Sequence, residues 1–206
     1  LMGAEIGSQE GRPPLVIKGG QPLNGIHYEM PVASAQVKSC VLLAGLFAEG
    51  RTSVTEPAPT RDHTERMLRG FGYDVEREND VISVQGGGRL TAATFDIPAD
   101  ISSAAFFLVA ASIAPNSDLT LEHVGMNPTR SGVITILTLM GADIEVLNER
   151  EVGGEPVADL RVKSSALVGI EIPEDLVPLA IDEFPVLFVA AACATGRTVL
   201  RGAEEL

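Results

Sequence analysis

The chain has 206 residues, 45% hydrophobic and 21% charged, with a formal net charge of −13. That composition specifies a folded globular protein, long enough for one large or two small cores. The acidic balance argues against nucleic acid and anionic membrane surfaces as partners, although a few arginines in a cleft can still hold a small anion. The longest apolar runs, Ser103–Ala114 and Phe184–Ala194, fall short of the ~20 residues that span a bilayer. No basic stretch followed by an apolar segment and cleavage site opens the sequence, so a cytoplasmic location is expected.

In chain order, Leu15–Lys18 and Ile26–Glu29 read as closing strands of a preceding unit. Ser34–Glu49 reads as an apolar helix, followed by a turn at Glu49-Gly50 and a strand at Thr52–Thr55. A second helix, Arg61–Gly70, stops at Gly72, since glycine reaches left-handed dihedrals without steric cost. Tyr73–Glu76 and Val81–Gln85 alternate around Asn79-Asp80 as a strand pair. The triple glycine Gly86-Gly87-Gly88 and the pair Gly153-Gly154 are expected to be hairpin connections, because neither has the strand–loop–helix context of a nucleotide loop.

The same order of signals then returns. Helix Ser102–Ala114, strand Leu119–Glu122, helix Ser131–Met140 and strands Ala142–Leu147 and Val157–Val162 form a second copy, with a polar loop at Asn148–Pro156. Ser34 pairs with Ser103, Pro59-Thr60-Arg61 with Pro128-Thr129-Arg130, and Gly72 with Gly141, each sixty-nine positions apart. A third copy starts near Ala180, with helix Asp182–Thr195 and strand Thr198–Leu200, and matches Gly50-Arg51-Thr52 with Gly196-Arg197-Thr198. Leu1–Ile6 matches Leu139–Ile144, so the chain is expected to begin inside one repeat and to be a fragment. The repeating unit reads β-α-β-α-β-β. Cys40 and Cys193, inside apolar segments, are expected to be buried free thiols.

Three helix starts carry the candidate chemistry. Pro31–Ser39 opens the first long helix, where unpaired N–H groups and the helix dipole attract anions; Ser34 either caps the helix or gives its hydroxyl to a phosphate. Pro59–Glu65 offers Arg61, either a surface arginine or a fork for phosphate or carboxylate, with Thr60 or Asp62 as cap and Glu65 completing a capping box. Asp182-Glu183 stands at the mouth of an apolar helix, where ionised groups are costly to desolvate. One of the two is a base for a hydroxyl, or both simply complement the helix dipole. His63 is given no role, and Asp100–Ser103 reads mostly as a cap.

Together, PVASAQVKS (Pro31–Ser39), TRDHTERML (Thr60–Leu68), DISSAAFF (Asp100–Phe107) and IDEFPVLFVAAA (Ile181–Ala192) resemble the 5-enolpyruvylshikimate-3-phosphate synthase family along essentially the whole chain. The resemblance implies an inside-out α/β barrel of β-α-β-α-β-β units in two domains, here incomplete, with residues 1–96 from the first and 97–206 from the second. It implies transfer of the enolpyruvyl group of phosphoenolpyruvate to the 5-hydroxyl of shikimate 3-phosphate, without metal or organic cofactor, in an enzyme monomeric at full length. Ser34 would contact the substrate phosphate, Gln36 would lie beside the ring, Arg61 would reach shikimate 3-phosphate, and Asp182 would hold the hydroxyls and serve as base. Ala35 stands where many relatives carry a second serine, so one phosphate contact would be missing or made by main chain. The family's remaining phosphoenolpyruvate-binding motifs fall outside these residues, so the chain alone is expected to be inactive.

Three alternatives are weighed. The sister enzyme acting on UDP-N-acetylglucosamine shares the fold, but TRDHTERML and IDEFP favour the shikimate enzyme. An RNA 3′-terminal cyclase is disfavoured by the acidic charge. The third is a non-catalytic fragment that binds substrate or merely folds.

Overall fold

Each repeat begins with an extended segment, crosses over through a helix and returns parallel to itself. The computed structural model, which describes residues 1–203, falls into two compact units, Leu1–Ala93 and Thr94–Leu206. Residues 204–206, at the end of the expected second domain, lie outside the described residues.

In the first unit, β1 (Glu5–Gln9) and β2 (Arg12–Lys18) form an antiparallel hairpin. Glu10 and Gly11 take positive φ at its tip, the geometry that matches the twist of paired strands. The repeat proper follows: β3 (Leu23–Asn24), β4 (His27–Glu29), α1 (Ala35–Gly45), β5 (Ala48–Glu49), β6 (Arg51–Thr55), α2 (His63–Gly70), β7 (Val75–Glu78) and β8 (Val81–Gln85). The four-stranded sheet has the order β4-β6-β8-β7, with β4 parallel to β6 and the remaining pairs antiparallel. Ile26–Glu29 therefore opens this unit rather than closing a preceding one. Leu15–Lys18 pairs only with β1.

In the second unit, α3 (Ile101–Ile113), β9 (Asp118–Gly125), α4 (Gly132–Leu139), β10 (Asp143–Val152) and β11 (Glu155–Lys163) repeat the pattern, with sheet order β10-β11-β9. The opening strand is reduced to one parallel bridge, Ala99 to Val124. A third copy ends the chain with 3-10 turns at Glu174–Leu176 and Ile181–Glu183 and helix α5 (Phe184–Cys193).

The first and third copies share one main-chain pattern. Gly25 N–H donates to Glu49 O and Ser53 N–H to Ile26 O, both at 2.8 Å; Gly169 N–H donates to Thr195 O at 2.8 Å and Val199 N–H to Ile170 O at 2.9 Å. A β-carbon on Gly25 would lie 2.3 Å from Arg51 O, and one on Gly169 2.5 Å from Arg197 O. Both glycines are therefore required by close approach of two main chains.

The cores follow from the buried stripes. Leu42, Leu46, Val54, Leu68, Ile82 and Val84 fill the first unit. Leu108, Ile136, Leu137, Leu160, Phe184 and Leu187 are central to the second, where α3 packs on α5.

Several expected boundaries move. The first helix stops at Gly45, not Glu49, because Ala48-Glu49 pairs with β3. In the third copy Asp182 lies on the 3-10 turn and the helix starts only at Phe184, with Pro185 in its first turn, where a missing N–H costs nothing. Thr198–Leu200 makes a single bridge, Glu171 to Val199, rather than a strand. Most of the loop expected at Asn148–Pro156 is strand, turning only at Gly153-Gly154, which is the predicted hairpin connection. Gly86–Gly88 connects no hairpin: it follows β8, whose partner β7 is joined to it by the turn at Asn79-Asp80. Cys40 and Cys193 are free but exposed. On α1 the covered stripe is Lys38, Leu42 and Gly45, which leaves Cys40 on another face.

Two helix starts, those of α1 and α3, are capped by short polar side chains. Ser34 Oγ accepts from Val37 N–H at 3.3 Å. Asp100 Oδ2 accepts from both the N–H and the hydroxyl of Ser103, each at 2.9 Å. Partial burial opposes ionisation of Asp100, but the Ser103 bonds, the Arg130 charge and the Ser102 N–H outweigh it and hold the carboxyl below its ordinary range.

Two predictions follow from these contacts. Gly25→Ala and Gly169→Ala each destabilise by about 1–3 kcal/mol in denaturant titrations, whereas Gly7→Ala, whose nearest neighbour would be 3.8 Å away, stays within about 0.5 kcal/mol. Because its folded pKa is depressed, Asp100 stabilises above about pH 4 and loses that contribution as pH falls through the lowered value. The stability gap between wild type and Asp100→Asn should shrink in acid titrations below about pH 4; a gap independent of pH would contradict the assignment.

Candidate functional site

In the first unit, Ser34, Ala35 and Gln36 form the start of α1, with Ser34 and Ala35 part-covered and Gln36 exposed. No acidic residue lies in the first turn of α1, which leaves its dipole uncompensated there. Arg61 lies in the segment between β6 and α2, directly before Asp62, the N-cap position of α2. Thus Ser34 does act as a cap, and its hydroxyl still has a donor proton for an anion.

Beneath this surface lies a cluster that the sequence reading missed. Lys38, one turn after Ser34, is completely buried, with 0% exposure. Its ammonium donates to Glu56 Oε2 at 3.1 Å and to the carbonyl of Thr60 at 3.5 Å. It also lies 2.7 Å from Glu65 Oε1, an ion pair outside hydrogen-bond alignment. Glu56 further accepts from the Thr60 hydroxyl and from Arg77 Nη2, both at 2.8 Å. Ser39 and Thr64 add a hydroxyl–hydroxyl bond of 2.7 Å. The charges balance, two cations against two carboxylates. Such burial is tolerable only because the partners are in place.

The expected capping box at α2 does not form. Asp62 makes no side-chain cap bond and instead accepts from Arg66 Nε at 2.9 Å, while Glu65 turns inward to Lys38. One signal for Lys38 was present: it is four residues before Leu42, on the stripe that faces the core. A cleft of about 470 Å³ opens beside Glu56, lined also by Glu29, Thr55, Pro59, Arg77 and Asp80 among others. Ser34, Gln36 and Arg61 are not part of its lining.

In the second unit, Asp182 is brought into a group around Arg130. The guanidinium lies 3.7 Å from Asp100, 3.7 Å from Asp182 and 3.6 Å from Glu183, and it donates to the Ser102 hydroxyl. Ser102 in turn donates to Glu183. The two adjacent carboxylates that sequence left equivalent are thereby separated. Glu183 is buried at 3% exposure, whereas the Asp182 side chain is 48% exposed and can meet a ligand. Arg130 was legible as the repeat partner of Arg61, but its role as the hub of three carboxylates was not. Ser34, Gln36 and Arg61 thus belong to the first unit and Asp182 to the second. Among the described residues, no group of His, Cys, Asp and Glu is arranged to hold a metal ion.

Comparisons with known proteins agree with this architecture. The family model for EPSP synthase (3-phosphoshikimate 1-carboxyvinyltransferase) matches residues 1–206. The chain is 73% identical over its whole length to the 3-phosphoshikimate 1-carboxyvinyltransferase of Alkalilimnicola ehrlichii, covering 46% of that protein, and 68% identical to that of Methylococcus capsulatus, covering 47%. It therefore spans about half the length of the curated relatives it matches. An EPSP synthase structure from Acinetobacter baumannii superposes with a TM-score of 0.92 at 63% identity, covering all of this chain and 47% of that one. The enolpyruvyl transferase NikO from Streptomyces tendae, at 16% identity and a TM-score of 0.60 over 96% of this chain and 48% of its own, shares the fold. With the repeated crossover and the motifs at Ser34, Arg61 and Asp182 in place, the chain belongs to the EPSP synthase (3-phosphoshikimate 1-carboxyvinyltransferase) family.

Proposed function

We propose that the protein containing this chain transfers the enolpyruvyl group of phosphoenolpyruvate to the 5-hydroxyl of shikimate 3-phosphate and releases inorganic phosphate. The observation that carries this reading is the match of the synthase family model to residues 1–206. In the forward direction the hydroxyl oxygen bonds to C2 of phosphoenolpyruvate while C3 gains a proton. Loss of a C3 proton and cleavage of the C2–O bond to phosphate then complete the exchange. The chemistry balances with no redox change.

The roles are those that the family resemblance implies, and the helix start and the charges of Arg61 and Asp182 support them. The α1 start, Ser34 and the main-chain N–H of Ala35 or Gln36 bind the 3-phosphate, and Arg61 adds a charged fork. The Gln36 amide orients the ring. Asp182, exposed at its carboxylate, holds the hydroxyls and takes the proton of the attacking one. Its neighbour Arg130, 3.7 Å away, helps to hold the side chain in place. The reading further places the enzyme in the cytoplasm as a monomer without nucleic-acid or membrane partners. The two free cysteines and the net charge of −13 support a reducing compartment and no polyanion contact.

Calorimetric titration with shikimate 3-phosphate, with UDP-N-acetylglucosamine as control, tests the substrate; binding of the sugar nucleotide alone would overturn the reading. Arg61→Ala should weaken shikimate 3-phosphate binding by about 1.5–3 kcal/mol, and unchanged affinity would remove Arg61 from the site. In the complete enzyme Asp182→Asn should lower kcat by roughly 10²–10⁴-fold, as expected for loss of a general base. Near-normal turnover would reassign the base.

A further inference from the structure

We propose that Lys38 is a positioning residue that sets Arg61 against the start of α1 and so fixes the spacing of the phosphate-binding groups. This rests on the assignment of Ser34 and Arg61 to one ligand.

The segment joining β6 to α2 carries Arg61 and lies outside any helix or strand. It contains Pro57 and Pro59, neither of which offers an N–H to hold it. Lys38 grips it at three places. Glu56 stands at its beginning, the Thr60 carbonyl directly precedes Arg61, and Glu65 lies in the first turn of α2 beyond it. The Thr60 hydroxyl closes the set by donating to the same Glu56 oxygen.

At its other end the Lys38 main chain belongs to the helix start that carries the proposed anion site. Its own N–H donates to Ser34 O at 3.0 Å, within the first turn of α1. A single side chain therefore spans from the helix start that carries Ser34 and Gln36 to the residue next to Arg61. An apolar side chain at this place would satisfy the core stripe that continues through Leu42, without a desolvation cost. A buried ammonium adds direction, because its donors must meet fixed acceptors. Arg77, bonded to Glu56 from β7, keeps the remaining charge neutral. The Ser39–Thr64 bond runs parallel to the same tie.

The test separates positioning from simple charge neutralisation. Lys38→Met leaves Glu65 buried without its cation and will lower stability. Lys38→Met/Glu65→Gln restores the balance, since Glu56 keeps Arg77, and should recover most of the denaturation midpoint. If Lys38 positions Arg61, the double variant still binds shikimate 3-phosphate at least tenfold more weakly by calorimetry. Adding Arg61→Ala to it then costs much less than in the wild-type chain, because the two act on one contact. Hydrogen exchange should quicken in peptides spanning 56–66 relative to those of the β6–β8 ladder. Wild-type affinity in the double variant, fully additive losses, or unchanged exchange over 56–66 would overturn the proposal. Should the wild-type chain fail to bind shikimate 3-phosphate, the ligand assignment falls, and the exchange comparison alone decides whether Lys38 holds the Arg61 segment.

Discussion

Where the strand entering a helix meets the strand leaving it, the two main chains come close enough to exclude a β-carbon. Gly25 against Arg51 and Gly169 against Arg197 make this crossing in two copies, each with the same pair of main-chain hydrogen bonds. The rest of each copy hangs from it. The parallel pairing forces a crossover connection, and a helix fills it, because a helix returns the chain to the starting edge while satisfying its own N–H and C=O groups. The crossing thereby fixes where that helix begins. In the first copy this is the start of α1 with Ser34. In the third it is the turn that carries Asp182.

On this common frame the copies diverge in how they spend charge. The first places a lysine on the core stripe and closes two carboxylates around it. The middle copy has Phe107 at the position corresponding to Lys38, and its hub is Arg130, the counterpart of Arg61, reaching Asp100, Asp182 and Glu183. Both arrangements join the start of a long helix to the segment before a short one. In the first, removing Lys38 would leave carboxylates in a low-dielectric interior at a cost of about 3–5 kcal/mol, whereas in the second Asp100 and Asp182 are half exposed and water shares their charge.

The repeat was legible because its markers are backbone requirements. Gly72 and Gly141 take positive φ at the ends of α2 and α4, and so does Gly3 at the matching place before β1. Strand lengths were harder to read. In β10 the run Asn148–Glu151 is polar on both faces, and a strand largely open on both sides shows no alternation to detect. The third crossover was read as a strand but forms only isolated bridges, as its residues pair too briefly to make a ladder. The candidate residues were found through helix starts and motif resemblance, which are local. Lys38 and Glu56 escaped because their pairing joins positions eighteen apart whose relation exists only after the crossover has folded.

The placement of cations bears on how a ligand would arrive. Of the basic groups, Lys38, Arg77, Arg130, Arg150 and Arg161 are all committed to carboxylates, within a chain of net charge −13. The far field of these residues is therefore negative, and positive potential survives close to helix starts. Added salt shortens the range of that field, so the approach of any small anion to these residues would quicken as ionic strength first rises.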